Sequence, residues 1–292
     1  MPSSPALNAV STDAPADTAE VIGAPFSSAL ALTAPRPGCY RAELSNVWSV
    51  NQHGKQHGGL MLALVGKAGL TALAEHTGSD QLLDPLAVSA SYLRAPDTGP
   101  VWIDTEVVKV GRTASVVAVT LRQHDQPVIT ATVTAGRLPD APMEWSRLPE
   151  MAAQPPRDGI FTSSVAGPLP PLATACDVVL DPRTAGYLRG ERGDPVLRGW
   201  VRPIGEQPDP LFALLAGDIL PPVLFNMGRP GWAPTVQLTA LVRARPAPGW
   251  LRLESVADSI GGGWLDEDMT VIDSTGRLVC QARQLALAPL RT

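Results

Sequence analysis

Apolar residues along the chain alternate between two rhythms. From Leu60 to His76 (LMLALVGKAGLTALAEH) they are nearly unbroken, and Leu60 to Val65 is apolar all the way round a helix. A helix with no polar face has to be buried on every side. Four runs with a period of two follow, predicting strands at Ala87–Ala95, Val101–Val110, Ser115–Gln123 and Pro127–Arg137. In the third, Val117, Val119 and Leu121 alternate with Ala118, Thr120 and Arg122, the signature of a sheet with one dry face and one wet face. The sequence of rhythms then recurs. An apolar helix is expected from Asp209 to about Asn226, followed by strands at Thr235–Arg245, Trp250–Asp258, Gly263–Asp273 and Arg277–Leu287. Strand-like stretches also precede each helix, at Gly38–Val50 before the first, and at Cys176–Leu180 and Val196–Arg202 before the second.

The two segments overlay as an internal repeat. Tyr92-Leu93-Arg94-Ala95 matches Leu241-Val242-Arg243-Ala244 at an offset of 149 (243 − 94), and the turn at Gly99-Pro100 matches Pro248-Gly249. Each unit therefore reads as an α+β layer in which a curved, mainly antiparallel sheet wraps one long buried helix, the hotdog arrangement, and the chain reads as a double hotdog. The predicted units are 25–138 and 173–292. Between them, 139–172 carries so many prolines that neither a continuous helix nor a central strand fits, so it reads as a linker anchored by Trp145, Phe161 and Leu169. The first 24 residues are rich in Ser, Ala, Pro and Asp, and are expected to be a disordered tail.

Composition narrows the partners. A net charge of −5 in 292 residues, with no basic run, argues against nucleic acid. Cys39, Cys176 and Cys280 are widely separated and form no CxxC pair, which predicts buried thiols rather than a metal site or disulfide framework. The lack of an early basic residue and of a long uncharged apolar stretch predicts a cytoplasmic protein that does not enter a membrane.

The candidate chemistry centres on Asp218, the only charged residue between Leu211 and Asn226 (LFALLAGDILPPVLFN). A carboxylate in such surroundings is expensive unless it is hydrogen-bonded or protonated, and it predicts a general base or a water-orienting acid facing an acyl pocket, with a helix-end acid facing solvent as the alternative. Thr235 opens the next strand. Gln284 shares the inner face of the last strand with Cys280 and Ala282, opposite Gln281, Arg283 and Leu285. At the start of the first helix, His57-Gly58-Gly59 brings backbone N–H groups and the positive helix end to a place where a substrate oxygen could approach. No Cys, Asp or Glu accompanies His53, His57, His76 or His124 at metal-ligand spacing, so no metal is expected. The absence of Gly-x-Ser-x-Gly and of GxGxxG speaks against a serine hydrolase of the α/β type and a dinucleotide fold. Gly261-Gly262-Gly263 reads as a hairpin bend.

His57-Gly58-Gly59, the Asp218 helix and the closing Gly276-Arg277-Leu278-Val279…Gln284 hairpin together resemble the acyl-CoA thioesterase II group, double-hotdog members of the thioesterase-like superfamily. The resemblance covers about residues 25–292. It implies a fatty acyl-CoA hydrolase in which an Asp on the second helix, a Thr or Ser on the next strand and a Gln on the last strand hold the hydrolytic water. Those roles fall on Asp218, Thr235 (with Thr239 as a rival) and Gln284, with His57, Gly58 and Gly59 at the substrate. Coenzyme A enters as part of the substrate, not as a cofactor, and a dimer of double hotdogs is the implied assembly. A hotdog hydratase acting on an enoyl or hydroxyacyl thioester, and a non-catalytic acyl-thioester-binding protein, are the alternatives. No His follows Asp218 anywhere in the chain, which counts against the hydratase.

Overall fold

A computed structural model of the chain describes residues 25–80, 83–141, 143–165 and 170–289. The expected tail and part of the proline-rich stretch (142 and 166–169, including Leu169) lie outside these residues. In the first part of the chain α1 (Pro25–Ala29), β1 (Thr33–Arg36) and β2 (Cys39–Leu44) precede α2 (Gly58–Thr77), and β3 (Asp84–Tyr92), β4 (Gly99–Lys109), β5 (Ala114–Gln123) and β6 (Gln126–Gly136) follow it. Then come β7 (Ile160–Phe161), β8 (Cys176–Leu180), β9 (Val196–Pro203), α3 (Pro210–Ala216), β10 (Thr235–Val242), β11 (Leu251–Val256), β12 (Ile260–Gly261), β13 (Trp264–Ile272) and β14 (Leu278–Leu287).

These strands form one antiparallel sheet in the order β1-β2-β4-β5-β6-β3-β10-β14-β13-β11-β9-β8-β7, with β12 folding back on β13. The order reads the same from either end about the β3–β10 pair: β2-β4-β5-β6-β3 on one side answers β9-β11-β13-β14-β10 on the other. Matching rungs of the ladder give the spacing between the halves. Val88 and Ala90 face inward on β3, as Leu238 and Ala240 do on β10. The offset on these strands is therefore even, 150 (238 − 88), not the 149 of the Arg94 overlay, because a one-residue slip exchanges the two faces of a strand.

The helices α2 and α3 lie on the inner face of the sheet and pack on each other. Gly78 ends α2 in the left-handed conformation. Asp209 caps α3, accepting the Phe212 N–H at 2.7 Å, with Pro210 at the first helical position. Phe212 is fully buried and meets the Phe26 ring edge-on, 5.1 Å between centroids. Only α2 among the described residues has the length and apolarity of a membrane span, and 72% of its most apolar window is buried inside the protein.

Two expectations need correction. The second helix does not reach Asn226: α3 stops at Ala216, the chain turns at Gly217, and Pro221-Pro222 leads into a separate 3-10 turn at Val223–Met227. Proline lacks the N–H a helix interior needs, and its ring blocks the preceding turn. Of the expected anchors, Trp145 is 79% exposed and does not hold the proline-rich stretch, whereas Phe161 pairs with Val179 in an edge strand. The stretch is held by the strands it crosses: Trp200 donates its indole N–H to the Ala152 carbonyl, Arg252 donates to the Met151 carbonyl, and Ile160 pairs with Leu180 as an edge strand. The three cysteines are free and buried in β2, β8 and β14.

Candidate active site

Because α3 is short, Asp218 sits just beyond its end, in the turn that faces the first turn of α2. The glycines at 58 and 59 permit this approach. A Cβ on Gly58 would lie 2.7 Å from Asp218 Oδ2 and 3.4 Å from Thr235 Oγ1, and one on Gly59 would lie 2.7 Å from the Leu215 carbonyl oxygen and 2.9 Å from Asp218 Cβ. Any side chain here would push the two helices apart. The pair was expected to admit a substrate oxygen to the helix end, and the Gly59 N–H there also acts on the Asp218 carboxylate, favouring its ionised form. Gly58 remains at the wall of the neighbouring cavity.

His57 caps α2. Its Nδ1 accepts the Leu60 N–H at 3.2 Å, and its Nε2 donates to the Asp218 backbone carbonyl at 3.0 Å. Burial pushes this imidazole down to about 4, so it is neutral at physiological pH, and its 3.9 Å separation from Asp218 Oδ2 is not an ion pair. Both ring nitrogens are engaged inside the protein, and neither His57 nor Gly59 lines the cavity. The His57 ring ties the start of one helix to the turn after the other.

Thr235 and Gln284 do come together. The Thr235 hydroxyl donates to Gln284 Oε1 at 2.9 Å. Thr235 owes its position to an irregularity: opposite β14, Thr235 pairs with Ala286 and Gln237 with Leu285, so Val236 is an extra residue in the ladder. The bulge turns both Thr235 and Val236 toward the cavity. The rival, Thr239, bonds Ser89 on the neighbouring strand at 2.7 Å, and stands on the opposite face from the buried Leu238 and Ala240.

Two residues join the cluster that the sequence did not single out. Glu267, buried on β13, accepts the Gln284 side-chain amide at 2.9 Å on one oxygen and the Val223 N–H at 2.7 Å on the other. Tyr92 donates its hydroxyl to the Gly58 carbonyl at 2.7 Å. The phenol is held well above its usual value by burial and then by the charge of Asp218. Asp218 itself is raised to about 7, chiefly by burial and then by the nearby Glu267 charge, while the Gly59 N–H and the Gln284 amide hold it down. Burial also pushes Glu267 to about 7. At about 7, the carboxylate is divided between its two protonation states at neutral pH.

Asp218, Thr235, Gln284, Glu267 and Tyr92 lie along one side of a cavity of about 760 Å³. The rest of the wall is mainly apolar, including Leu172, Leu180, Ile219, Phe225 and Trp232. A pocket of this size with few convergent polar groups suits a small organic ligand with a long apolar part and one reactive polar centre.

Comparisons with known proteins bear on the family and the fold. The acyl-CoA thioesterase N-terminal domain matches residues 46–136, and the acyl-CoA thioesterase C-terminal domain matches residues 143–288. An uncharacterized protein of Mycobacterium tuberculosis is 40% identical over 274 residues, covering 87% of this chain and 92% of that protein. A protein assigned as a thioesterase II from Thermobifida fusca superposes with a TM-score of 0.80 at 31% identity, covering 92% of this chain and 99% of the other. A conserved hot dog protein of unknown function from Alicyclobacillus acidocaldarius superposes with a TM-score of 0.76 at 23% identity, covering 91% and 98%. The sheet wrapped on its helices is thus a hotdog fold.

Proposed function

The chain belongs to the acyl-CoA thioesterase family, and from that premise we propose that it hydrolyses fatty acyl-CoA by direct attack of a water held by Asp218, Thr235 and Gln284. The observation that carries the reading is a buried carboxylate near pKa 7 beside a Thr–Gln hydrogen bond, at the polar edge of an apolar cavity. Ionised Asp218 takes a proton from water as the water oxygen attacks the thioester carbonyl carbon. Thr235 spends its proton on Gln284, which leaves its oxygen lone pairs to accept the other water hydrogen. The Gly58 N–H, at the positive end of α2, is the donor suited to the carbonyl oxygen as it gains charge. When the C–S bond breaks, the sulfur recovers the proton held by Asp218, and free acid and coenzyme A leave. Water is the second substrate, so no acyl-enzyme and no resident cofactor is needed. Coenzyme A as substrate fits a cytoplasmic protein.

In this reading the chain is a double hotdog that arose by tandem duplication. The mirrored strand order about β3 and β10 supports that history. A hydratase reading is weakened by His57, the histidine of the site, being neutral and fully engaged.

The test is incubation of the purified chain with acyl-CoAs of short, medium and long chain, scored for free thiol. We expect thiol release with the longer chains, and a rate that rises with pH through about 7 as Asp218 ionises. Saturable binding of acyl-CoA with no thiol release would replace hydrolysis with an acyl-binding role.

A further inference from the structure

Glu267 has no part in the water-holding trio, yet it bonds the Gln284 side chain directly. Its two carboxylate oxygens are both occupied by donors, the Val223 N–H at 2.7 Å and the Gln284 Nε2 at 2.9 Å. A backbone N–H cannot reverse its role, so one side of Glu267 is locked as an acceptor. The other oxygen can only accept as well while the acid is ionised. That forces the NH2 end of the Gln284 amide toward Glu267 and its carbonyl end toward Thr235. The Thr235 hydroxyl then has to donate to Gln284. A primary amide has no such preference by itself, since its two ends are nearly the same shape and it can turn over.

We propose that Glu267 is a positioning residue that sets the direction of the Thr235–Gln284 hydrogen bond, so that Thr235 presents lone pairs rather than a proton to the hydrolytic water. The inference rests on the reading of Asp218, Thr235 and Gln284 given above. If the amide turned over, its NH2 group would donate to Thr235, and the Thr235 proton would point at the water. A water that accepts from Thr235 has a lone pair engaged there instead of at the thioester carbonyl. It also offers its hydrogens less well to Asp218. The polarity of one buried hydrogen bond would thus separate a nucleophilic water from an idle one.

The arrangement has an electrostatic consequence. The ionisable groups around Asp218 are Glu267 on β13, the neutral His57 imidazole at the start of α2 and the Tyr92 phenol on β3. Of these, only Glu267 brings a negative charge as it ionises at about 7, and in that form it adds to the burial that holds Asp218 up.

The test is Glu267→Gln in the full chain. One end of the new amide can satisfy Val223 or Gln284, but not both as the carboxylate does, so the Gln284 amide loses one of the two acceptors, Glu267 and Asp218, that orient it. We expect kcat to fall by about tenfold to a hundredfold, the range seen when an outer partner that orients a reacting group is lost, with KM little changed. The acid limb of the pH–rate profile should move to lower pH, because the charge that raises Asp218 is gone. Glu267→Asp keeps the charge but draws the carboxylate back from Gln284, so kcat should fall with the acid limb in place. It also carries the test if the Gln variant fails to fold. Parental kcat in either folded variant would overturn the proposal, as would a Gln variant that loses binding without losing kcat. A readout without turnover is the NMR of the Gln284 side-chain amide protons. In the parent they should exchange slowly and be shifted by the carboxylate, and in the Gln variant that signature should be lost. A parent that releases no thiol from any acyl-CoA would refute the hydrolase reading alone, and the amide signature would still decide whether Glu267 orients Gln284.

Discussion

Val88, Val133 and Val117 lie side by side on β3, β6 and β5, and all three are fully buried. Leu238, Gln284 and Glu267 hold the corresponding places on β10, β14 and β13. The backbone ladder is the same, but two dry rungs in the first half are matched by an amide and a carboxylate in the second. What lies above them explains the change. In the first half α2 runs for 20 residues across the sheet and comes down so closely on Val133 that a Cβ at Gly69 would lie 2.9 Å from its Cγ2. In the second half α3 has 7 residues and the chain turns away at Gly217. The space over Gln284 and Glu267 is therefore cavity rather than helix. One half is a packed scaffold, and the other gives up part of its helix for a pocket. The scaffold half still contributes its helix start, through Gly58 and Gly59, so the site is assembled from both.

The largest effect should come from removing the charge that the shortened helix exposes to the cavity. Asp218→Asn should lower kcat for thioester hydrolysis by about 10²–10⁴, the usual cost of losing a positioned proton-transfer group, with the fold retained. Stability should move the other way. The folded Asp218 is raised to about 7 from an ordinary value of 3.8. Between those values the native state keeps a proton that the unfolded chain has lost, so this group's contribution to stability declines as pH rises through about 7 and is flat above it. The Asn variant escapes that decline. Its melting temperature should exceed the parental one most above pH 7 and converge with it below about pH 4. A variant with parental kcat at every chain length, or one whose stability advantage grows as pH falls, would sink this assignment of Asp218.

The packed half can be broken without touching the chemistry. Gly69→Ala would drive a methyl group into Val133, and overfilling a tight core costs about 1–3 kcal/mol. We expect a clear fall in melting temperature on thermal unfolding, with kcat per folded molecule kept near the parental value. A variant as stable as the parent would mean that α2 has room to shift, and that the contrast between a tight half and an open half is overdrawn.

The contrast also marks what could be read from the sequence. The buried helix of the first half and the period-two strands of both halves were visible because their apolar spacing is determined locally. Asp218 stood out as a single charge in an apolar run, and Gln284 as a polar residue on the inner face of an alternating strand. Glu267 was hidden by its neighbours. In Trp264-Leu265-Asp266-Glu267-Asp268 three acids in a row look like a solvent face, although the inner positions of the strand are Leu265, Glu267, Met269 and Val271. Strict alternation through the acids would have placed Glu267 inside, with Asp266 and Asp268 outside to meet Arg283. The end of α3 was misplaced because apolar content continued past it, while Gly217 and Pro221-Pro222 stopped the hydrogen bonding. The double role of Gly58-Gly59, and the engagement of His57 with the Asp218 carbonyl, depend on two helices meeting across 161 positions of chain. No local pattern carries that information.

The smallest effects separate the two threonines on β10, and they test whether the bulge at Val236 is what places the site. Thr235 faces the cavity and bonds Gln284, whereas Thr239 faces away and bonds Ser89. Replacing either by Val keeps the shape and removes the hydroxyl. Thr235→Val takes away an acceptor for the water and leaves Gln284 Oε1 without its donor. The loss of one hydrogen bond at a reacting centre is worth about 1–1.5 kcal/mol, so kcat should fall roughly tenfold with KM nearly unchanged. Thr239→Val breaks a hydrogen bond on the far face of the sheet, at some cost in melting temperature, and kcat should stay within about twofold of the parent, since one partly solvated bond there contributes little to the site. Initial rates of thiol release and thermal unfolding on the same preparations give both answers. If Thr239→Val lost the activity and Thr235→Val kept it, the inner and outer faces of β10 would be exchanged in the working protein, and the bulge would not be the device that brings the hydroxyl to Gln284.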